Sequence, residues 1–347
     1  MVEKKVINLE ELHRLIEEHD FYLFGAGIQG QRWVYIIEDW DCGENIIGII
    51  DNNKDIQGRR VYGNECDYPI ISLSDALDKT NVVLYIVITS LHYQNMFEQI
   101  KKVAGSNHII CICVDEVAEE QLKISDYENV VKESEVPIIP KVIHYAWLGG
   151  KMPREIEKNI DFWGKMCPEY EIKLWNERNY DVTQNEYMKQ AYDNKAWAFV
   201  PDYMRLDIIY QEGGIYLDTD IEIIKKPDEL LYQKCFGCCD ATMVLNLGSG
   251  FGAVPRCNII KELRDYYNKV NFIKEDGSLD KTSCNTHSYK VLRKYDYQVT
   301  DHLQKIGEMN IYPMIFAGTN GHTKRYKITE KTFWLHWGNM SWMNNMG

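Results

Sequence analysis

Glu212-Gly213-Gly214-Ile215-Tyr216-Leu217-Asp218-Thr219-Asp220 is an apolar run that ends in two carboxylates one residue apart. In an extended strand side chains alternate, so Asp218 and Asp220 are expected on the same side. Two such oxygen donors beside a turn can hold a hard divalent cation, which can in turn hold a diphosphate. The segment just upstream reads as a helix. Pro201 suits a first helical position, and Gly213-Gly214 suits a C-terminal cap. Asp202 and Arg205 lie three residues apart on that helix and share a face. The guanidinium of Arg205 offers a fork of donors matched to a carboxylate or a phosphate. Together these residues point to group transfer from a nucleotide-linked substrate. The competing reading is a structural Asp–Arg pair near a surface loop, with the two later carboxylates spaced by chance.

Outward from this block, Lys141 to Trp147 reads as a strand with polar and aromatic groups at its end. A helix from about Glu155 to Met166 and a strand from Glu171 to Trp175 follow. Before them, Asp115 to Glu135 is acidic and without strong periodicity, and Pro137 and Pro140 punctuate it. The domain boundary is placed there, giving residues 1–136 and 137–347.

In the first part, residues 1–18 read as a helix on the spacing of Leu9, Leu12 and Ile16. Phe21–Phe24, Ile46–Ile50, Val82–Ile88 and Ile109–Val114 are continuous apolar runs, with helical patterns after the first and third. Strands of this kind alternating with helices predict a small α/β domain, a Rossmann-like parallel sheet of roughly four strands covered on both faces. Gly25-Ala26-Gly27-Ile28-Gln29-Gly30 joins the first of these strands to a helix, and Asp51 ends the second. Gly25, Gly27 and Gly30 can bring backbone close to a phosphate at a helix N-terminus, and Asp51 can accept from a ribose hydroxyl. A tight strand–helix turn with no ligand explains the same glycines.

A length of 347 residues suits two domains, and 45% hydrophobic residues with 12% aromatic are ample for packed cores. Lys and Arg number 39 against 52 Asp and Glu, a formal charge of −13, which argues against binding a phosphate backbone of nucleic acid. There is no polybasic run to hold an anionic membrane, no apolar stretch of about 18 residues, and an N-terminus too charged for a signal peptide. The ten cysteines are scattered and mostly in apolar runs, so they are expected as reduced core thiols of a cytoplasmic protein. Cys235 and Cys238 have CxxC spacing without a second pair; core thiols and a zinc or redox site are the two readings.

Several ordered motifs carry a resemblance. They are Ile139–Gly150 (IPKVIHYAWLGG), Trp163, Cys167-Pro168-Glu169-Tyr170-Glu171, Leu174-Trp175-Asn176, Pro201–Asp220 (PDYMRLDIIYQEGGIYLDTD) and His336-Trp337-Gly338-Asn339-Met340-Ser341-Trp342. Over roughly residues 138–345 the chain resembles the bacterial capsular and lipopolysaccharide sugar transferases of glycosyltransferase family 32. These share a DXD motif with yeast Golgi mannosyltransferases and, more distantly, with clostridial toxin glucosyltransferases. The chain departs from the pattern at Pro201, where Ser is more usual, and at Trp337, where a second His is more usual.

The resemblance implies a GT-A fold and a retaining transfer dependent on Mn²⁺ or Mg²⁺. By motif, Asp220 would bind the metal directly and Asp218 would hold the ribose and a metal-bound water, with His336 a further metal ligand. Asp202 and Arg205 would hold the donor sugar, which Asn246 would also reach. His144 and Trp147 would sit at the nucleotide base, and Ser341 and Trp342 would close over the diphosphate. The first part resembles small Rossmann-like domains attached to sugar-modifying proteins, through Phe24-Gly25-Ala26-Gly27, Ile50-Asp51-Asn52-Asn53 and Pro69-Ile70-Ile71.

The expected function is transfer of a hexose from a nucleotide sugar, a UDP-sugar first, to a glycan or lipid-linked glycan acceptor in surface polysaccharide synthesis. The expected location is cytoplasmic, with peripheral membrane contact but no anchor. Two rivals stand beside it. One is a nicotinamide (NAD)-dependent sugar oxidoreductase using the Gly25–Gly30 loop, for which no strong catalytic constellation is evident. The other is a non-catalytic nucleotide-sugar-binding module, against which the complete Asp218/Asp220 pair argues.

Overall fold

The structure is a computed structural model that describes residues 1–78, 83–90, 92–124, 129–240, 242–317 and 328–338. It divides into two compact units, Met1–Ser125 and Asp126–Gly347.

The first unit is a seven-stranded sheet. In chain order its strands are β1 (Val2–Lys4), β2 (Phe21–Phe24), β3 (Ile46–Ile50), β4 (Arg60–Tyr62), β5 (Asp67–Ile71), β6 (Val83–Ile88) and β7 (His108–Cys113). Their order across the sheet is β1-β7-β6-β2-β3-β5-β4. All neighbours are parallel except the edge pair β4–β5. The helices are α1 (Leu9–Glu18), α2 (Ile28–Asp39), α3 (Leu73–Leu77), α4 (Tyr93–Val103) and α5 (Val114–Ile124). The chain runs outward from β2 through β3 in one direction and from β6 through β7 in the other. Right-handed crossovers then put α2 and α4 on opposite faces. Tyr22, Phe24, Ile86 and Ile88 pack in one core with Leu73, Tyr93 and Ile100 of α3 and α4. Phe21 and Leu23, fully buried, alternate to the other face.

The expected parallel sheet is present, but it is larger than the apolar runs predicted. β1 replaces the start of the expected first helix; that helix begins only at Leu9, where Asn8 and Glu11 form a capping box. Burial of Leu9, Leu12, Leu15 and Ile16 along one stripe then fixes α1 against the unit. The acidic stretch after β7 opens as α5, whose charged residues obscure its period in the sequence.

The second unit holds a mixed seven-stranded sheet and a two-stranded ladder. Its elements are β8 (Val142–Ala146), α6 (Arg154–Met166), β9 (Glu171–Trp175), α7 (Glu186–Asp193), α8 (Val200–Glu212), β10 (Gly214–Tyr216), β11 (Ile221–Ile223), β12 (Cys235–Cys238), β13 (Phe251–Ala253), α9 (Asn258–Tyr266), α10 (Cys284–Leu292), β14 (Gln304–Ile306), β15 (Met309–Tyr312) and β16 (Trp334–His336). The sheet order is β14-β15-β12-β13-β10-β8-β9, and β11 pairs with β16 apart from it. The α/β class and the mixed, parallel-containing second sheet agree with the GT-A expectation.

Residues 131–139 are irregular but tied to this unit. Glu133 and Ser134 donate their N–H groups to the Tyr232 carbonyl, and Ile138 and Ile139 donate to that of Leu231. Nearly every side chain of α8 from Val200 to Ile209 is buried. Gly213 closes the helix at φ +70, and a Cβ there would lie 2.6 Å from Pro255, so only glycine fits the cap. Among the described residues no helix is long and apolar enough to cross a membrane. Of the ten cysteines, Cys66 is exposed and Cys284 half-buried; the rest are buried, including Cys235 and Cys238 on β12, and all are free thiols.

Candidate functional site

α8 delivers the chain through Gly213-Gly214 into β10, which pairs in parallel with β8 (Ile215 opposite Ile143) and antiparallel with β13. The strand stops at Tyr216, earlier than expected. Asp218-Thr219-Asp220 therefore lies in a turn, not an extended strand, and strand alternation is not what brings the carboxylates together. The turn is closed by the Ile221 N–H donating to the Asp218 carbonyl. It is also held from outside. Asn159 on α6 donates its amide to the carbonyls of Thr219 (3.0 Å) and Ile221 (2.7 Å), and the Trp163 indole donates to Ile221 at 2.9 Å. Neither duty of these two α6 residues could be read from sequence spacing.

Leaving the turn, β11 pairs with β16, and the register sets Ile221 opposite His336. That brings His336 Nε2 to 3.3 Å from Asp220 Oδ1. Ligand atoms of Asp218, Asp220 and His336 all lie within 4.8 Å of one another; among the described residues no other such group of three occurs. Asp220 and His336 are each 19% exposed and Asp218 is 28% exposed, so solvent ions can reach them. Burial works to lower the pKa of His336, but the carboxylates of Asp220, Asp218 and Asp240 outweigh it and hold it above its ordinary value. Burial, reinforced by Asp220 and opposed by Arg205, pushes Asp218 up.

Behind this cluster Arg205 is 3% exposed. Its Nη2 lies 3.4 Å from both Asp202 Oδ1 and Asp218 Oδ1, and its Nε donates to the Pro201 carbonyl at 3.1 Å. The guanidinium lies 5.3 Å from the ring of Tyr216. Its Nη1 has no hydrogen-bond partner among the described residues. Asp202 is buried beside Tyr187, whose hydroxyl donates to it at 3.4 Å. Burial pushes the Asp202 carboxyl up to about 7; Arg205 pulls it down, but Asp218 adds to the rise. Arg205 itself remains charged, its pKa raised by Asp218 and Asp202 against the effect of burial.

The cluster fits a divalent cation by its chemistry: two carboxylates and an imidazole converge, and a buried, unsatisfied guanidinium nitrogen stands behind them for an anionic group. Asp202, Arg205, Asp218, Asp220 and His336 are thus brought together. Asn246 lies on the neighbouring loop, where both ends of its side chain are engaged. Its Oδ1 accepts from Gly248 and Ser249, and its Nδ2 donates to Asp240 at 3.3 Å. Asn285 donates to the same Asp240 oxygen at 2.8 Å. Asp240, Ser249 and Asn285 had no signal in the sequence, because only the tertiary fold brings them to this turn.

His144 is fully buried. The Trp175 indole donates to its Nδ1 at 3.0 Å, so Nε2 carries the proton and donates to the Gly213 carbonyl at 2.9 Å. Burial brings its pKa down to about 4, so the ring is neutral and holds the end of α8 against β8. Trp147 is half-buried in a turn that its indole N–H closes on Gly150 at 3.1 Å. The Gly149 N–H donates to Glu177 at 2.7 Å. Ser341 and Trp342 lie outside the described residues.

In the first unit, Gly25 has φ +118, and a Cβ on Gly30 would lie 1.7 Å from the Gly25 carbonyl oxygen, so Gly30 serves close packing. Gly27 begins α2 with open space around it. Asp51 Oδ2 accepts from the Ala26 N–H at 2.7 Å and Oδ1 from Asn53 N–H at 2.8 Å, so its carboxylate shapes this loop and its own turn.

Residues 153–237 match the family described as glycosyltransferase sugar-binding region containing DXD motif. Curated relatives include inositol phosphoceramide mannosyltransferase 3 of Schizosaccharomyces pombe, 29% identical over 32% of this chain and 33% of its own length. Another is the mannosyl phosphorylinositol ceramide synthase SUR1 of Saccharomyces cerevisiae, 25% identical over 48% of this chain and 44% of its own. A third is the subversion of eukaryotic traffic protein A of Legionella pneumophila, 26% identical over 27% of this chain and 19% of its own. The chain thus spans less than half the length of each.

Proposed function

We propose that this chain, which carries the DXD-motif sugar-binding region of glycosyltransferases, transfers a hexose from a nucleotide sugar to a glycan or lipid-linked acceptor, with a divalent cation at Asp218, Asp220 and His336. The observation that carries the reading is the convergence of those three side chains, within 4.8 Å, inside and opposite the matched region. A cation held there would neutralise the charge that builds on a departing nucleoside diphosphate.

The chain's own residues supply the rest. Arg205 presents a buried, unsatisfied Nη1 as a donor for an anionic or hydroxyl oxygen of the donor substrate. Asp202 and Asp218 both hold Nη2 and the Pro201 carbonyl holds Nε, so the guanidinium need not reorganise when charge develops. Asn159 and Trp163 hold the turn carbonyls, which keeps both carboxylates in place without occupying them. The imidazole among the ligands favours Mn²⁺ over Mg²⁺, because Mg²⁺ prefers an all-oxygen shell.

The names of two of the relatives make a mannosyl donor and a lipid-linked acceptor the first alternatives to a UDP-hexose and a polysaccharide. The test is a panel of UDP- and GDP-hexoses scored by released nucleoside diphosphate and by thermal shift, with Mn²⁺ and with EDTA. Release from at least one donor in Mn²⁺, lost in EDTA, supports the reading. Turnover that is indifferent to EDTA removes the cation from it, and no donor-dependent signal on the whole panel removes the transferase.

A further inference from the structure

We propose that Ser249 is a positioning residue for the cation site: its hydroxyl oxygen accepts the Nδ1–H of His336 and so leaves the Nε2 lone pair directed at an ion shared with Asp218 and Asp220. The inference rests on the cation reading above and says which residue makes His336 a ligand. Neutral imidazole carries one proton, and the nitrogen left free to ligate is decided by the partner of the other.

Here the two nitrogens have different surroundings. Nδ1 lies 2.9 Å from Ser249 Oγ, and Nε2 lies 3.3 Å from Asp220 Oδ1 on the side of the carboxylates. A hydroxyl suits this duty because it can donate or accept by rotating about its own bond. On a neutral ring with its proton on Nε2 the hydroxyl would donate to Nδ1; with Nε2 given to an ion it would turn and accept from Nδ1–H.

Ser249 is itself held rigidly, which a positioning group requires. It is 2% exposed. Its N–H donates to Asn246 Oδ1 at 3.2 Å, and the Gly248 N–H donates to the same oxygen at 2.9 Å. Asn246 is tied in turn to Asp240, which also accepts from Asn285 and Thr242. On its other side the loop packs against the DXD turn: a Cβ on Gly248 would lie 2.6 Å from Asp218 Oδ2. The loop therefore cannot drift away from His336 without breaking the Asp240 hub or opening the contact with Asp218.

The test is Mn²⁺ binding to the full chain without donor, read from the electron paramagnetic resonance signal of free Mn²⁺. Melting temperatures of each protein, without metal, are measured alongside. Ser249→Ala should weaken Mn²⁺ about 10–100-fold, the usual loss for an outer partner of a ligating histidine. Ser249→Thr, which keeps the hydroxyl, should restore affinity to within a few-fold. In a His336→Ala background, Ser249→Ala should cost nothing further, because its effect runs through that ring. Wild-type affinity in Ser249→Ala overturns the proposal, and so does a fall in melting temperature with unchanged affinity of the folded protein. An equal loss with and without His336 also overturns it, since the residue would then be shaping the loop alone. Asp220→Asn is the separate control: if it binds Mn²⁺ as tightly as wild type, the cation reading itself fails. If Asp220→Asn is weak but His336→Ala is normal, the ion stays with the carboxylates and this inference falls.

Discussion

Replacing Asp202 with Asn is expected to stabilise the metal-free protein at neutral pH. Asp202 is 2% exposed, and its carboxyl is pushed from 3.8 to about 7. Burial is the main cause. The cation beside it, Arg205, is shared with Asp218, whose own charge works against ionisation of Asp202. An unfolded chain releases this proton near 3.8, whereas the native chain keeps it to about 7. The native state thus binds more protons through that window, and the stability contributed by this group falls as pH rises from about 4 to 7. A shift of roughly three units at 1.36 kcal/mol each amounts to about 4 kcal/mol once pH exceeds 7. Asn is the neutral isostere of the protonated form and is free of this loss. Asp202→Asn should therefore exceed wild type by up to about 4 kcal/mol at pH 7.5 and by only about 1 kcal/mol at pH 4.5. Calorimetric melting of both full-length proteins in EDTA at the two pH values measures this gap. A variant less stable than wild type at pH 7.5, or a gap that does not grow with pH, would show that the Asp202–Arg205 pair outweighs its own desolvation.

Two further perturbations follow from the same geometry. Gly248→Ala sets a methyl 2.6 Å from Asp218 Oδ2 and 3.2 Å from Arg205 Nη1, so it should lower donor turnover at least about tenfold while costing about 1–3 kcal/mol of stability; steady-state kinetics beside melting curves checks this, and normal turnover would mean the loop stands clear of the site. His144→Phe strands the Trp175 indole and the Gly213 carbonyl, each at about 1–3 kcal/mol, so it should act first on melting temperature and on kcat through the Gly213 turn; a raised donor KM at unchanged melting temperature would instead place the ring at the substrate.

Much of the fold was legible because its central strands are continuous apolar runs. Phe21–Phe24, Ile46–Ile50 and the run ending at Ile88 bury both faces, and no other local structure suits such runs when helices alternate with them. The edges were not legible for the same reason reversed. Arg60–Tyr62 and Asp67–Ile71 carry charge and a proline because they form the antiparallel border, where little apolar surface is needed. At the site, the Asp202–Arg205 face and the Asp218/Asp220 pair could be found because their relations are local. The means of their convergence was misread, since a turn held by Asn159 and Trp163 does what strand alternation was expected to do. His336 meets Asp220 through the pairing of β11 with β16, and Ser249 meets His336 across 87 residues of chain. No periodicity carries such a relation. His144 shows the opposite limit: from its motif alone, a histidine expected at the substrate cannot be told from one in mid-strand whose two nitrogens are both taken up in the core.

The most direct measurement of the central claim is nucleoside diphosphate release by wild type and by Asp220→Asn, each with its best hexose donor, in Mn²⁺ and after EDTA. The account predicts release by wild type in Mn²⁺ alone, loss of at least about a hundredfold in the variant, and melting temperatures within a few degrees of each other, because Asp220 lies at the surface of a turn held by other residues. Equal release by the two proteins, or release by wild type that survives EDTA, would contradict it.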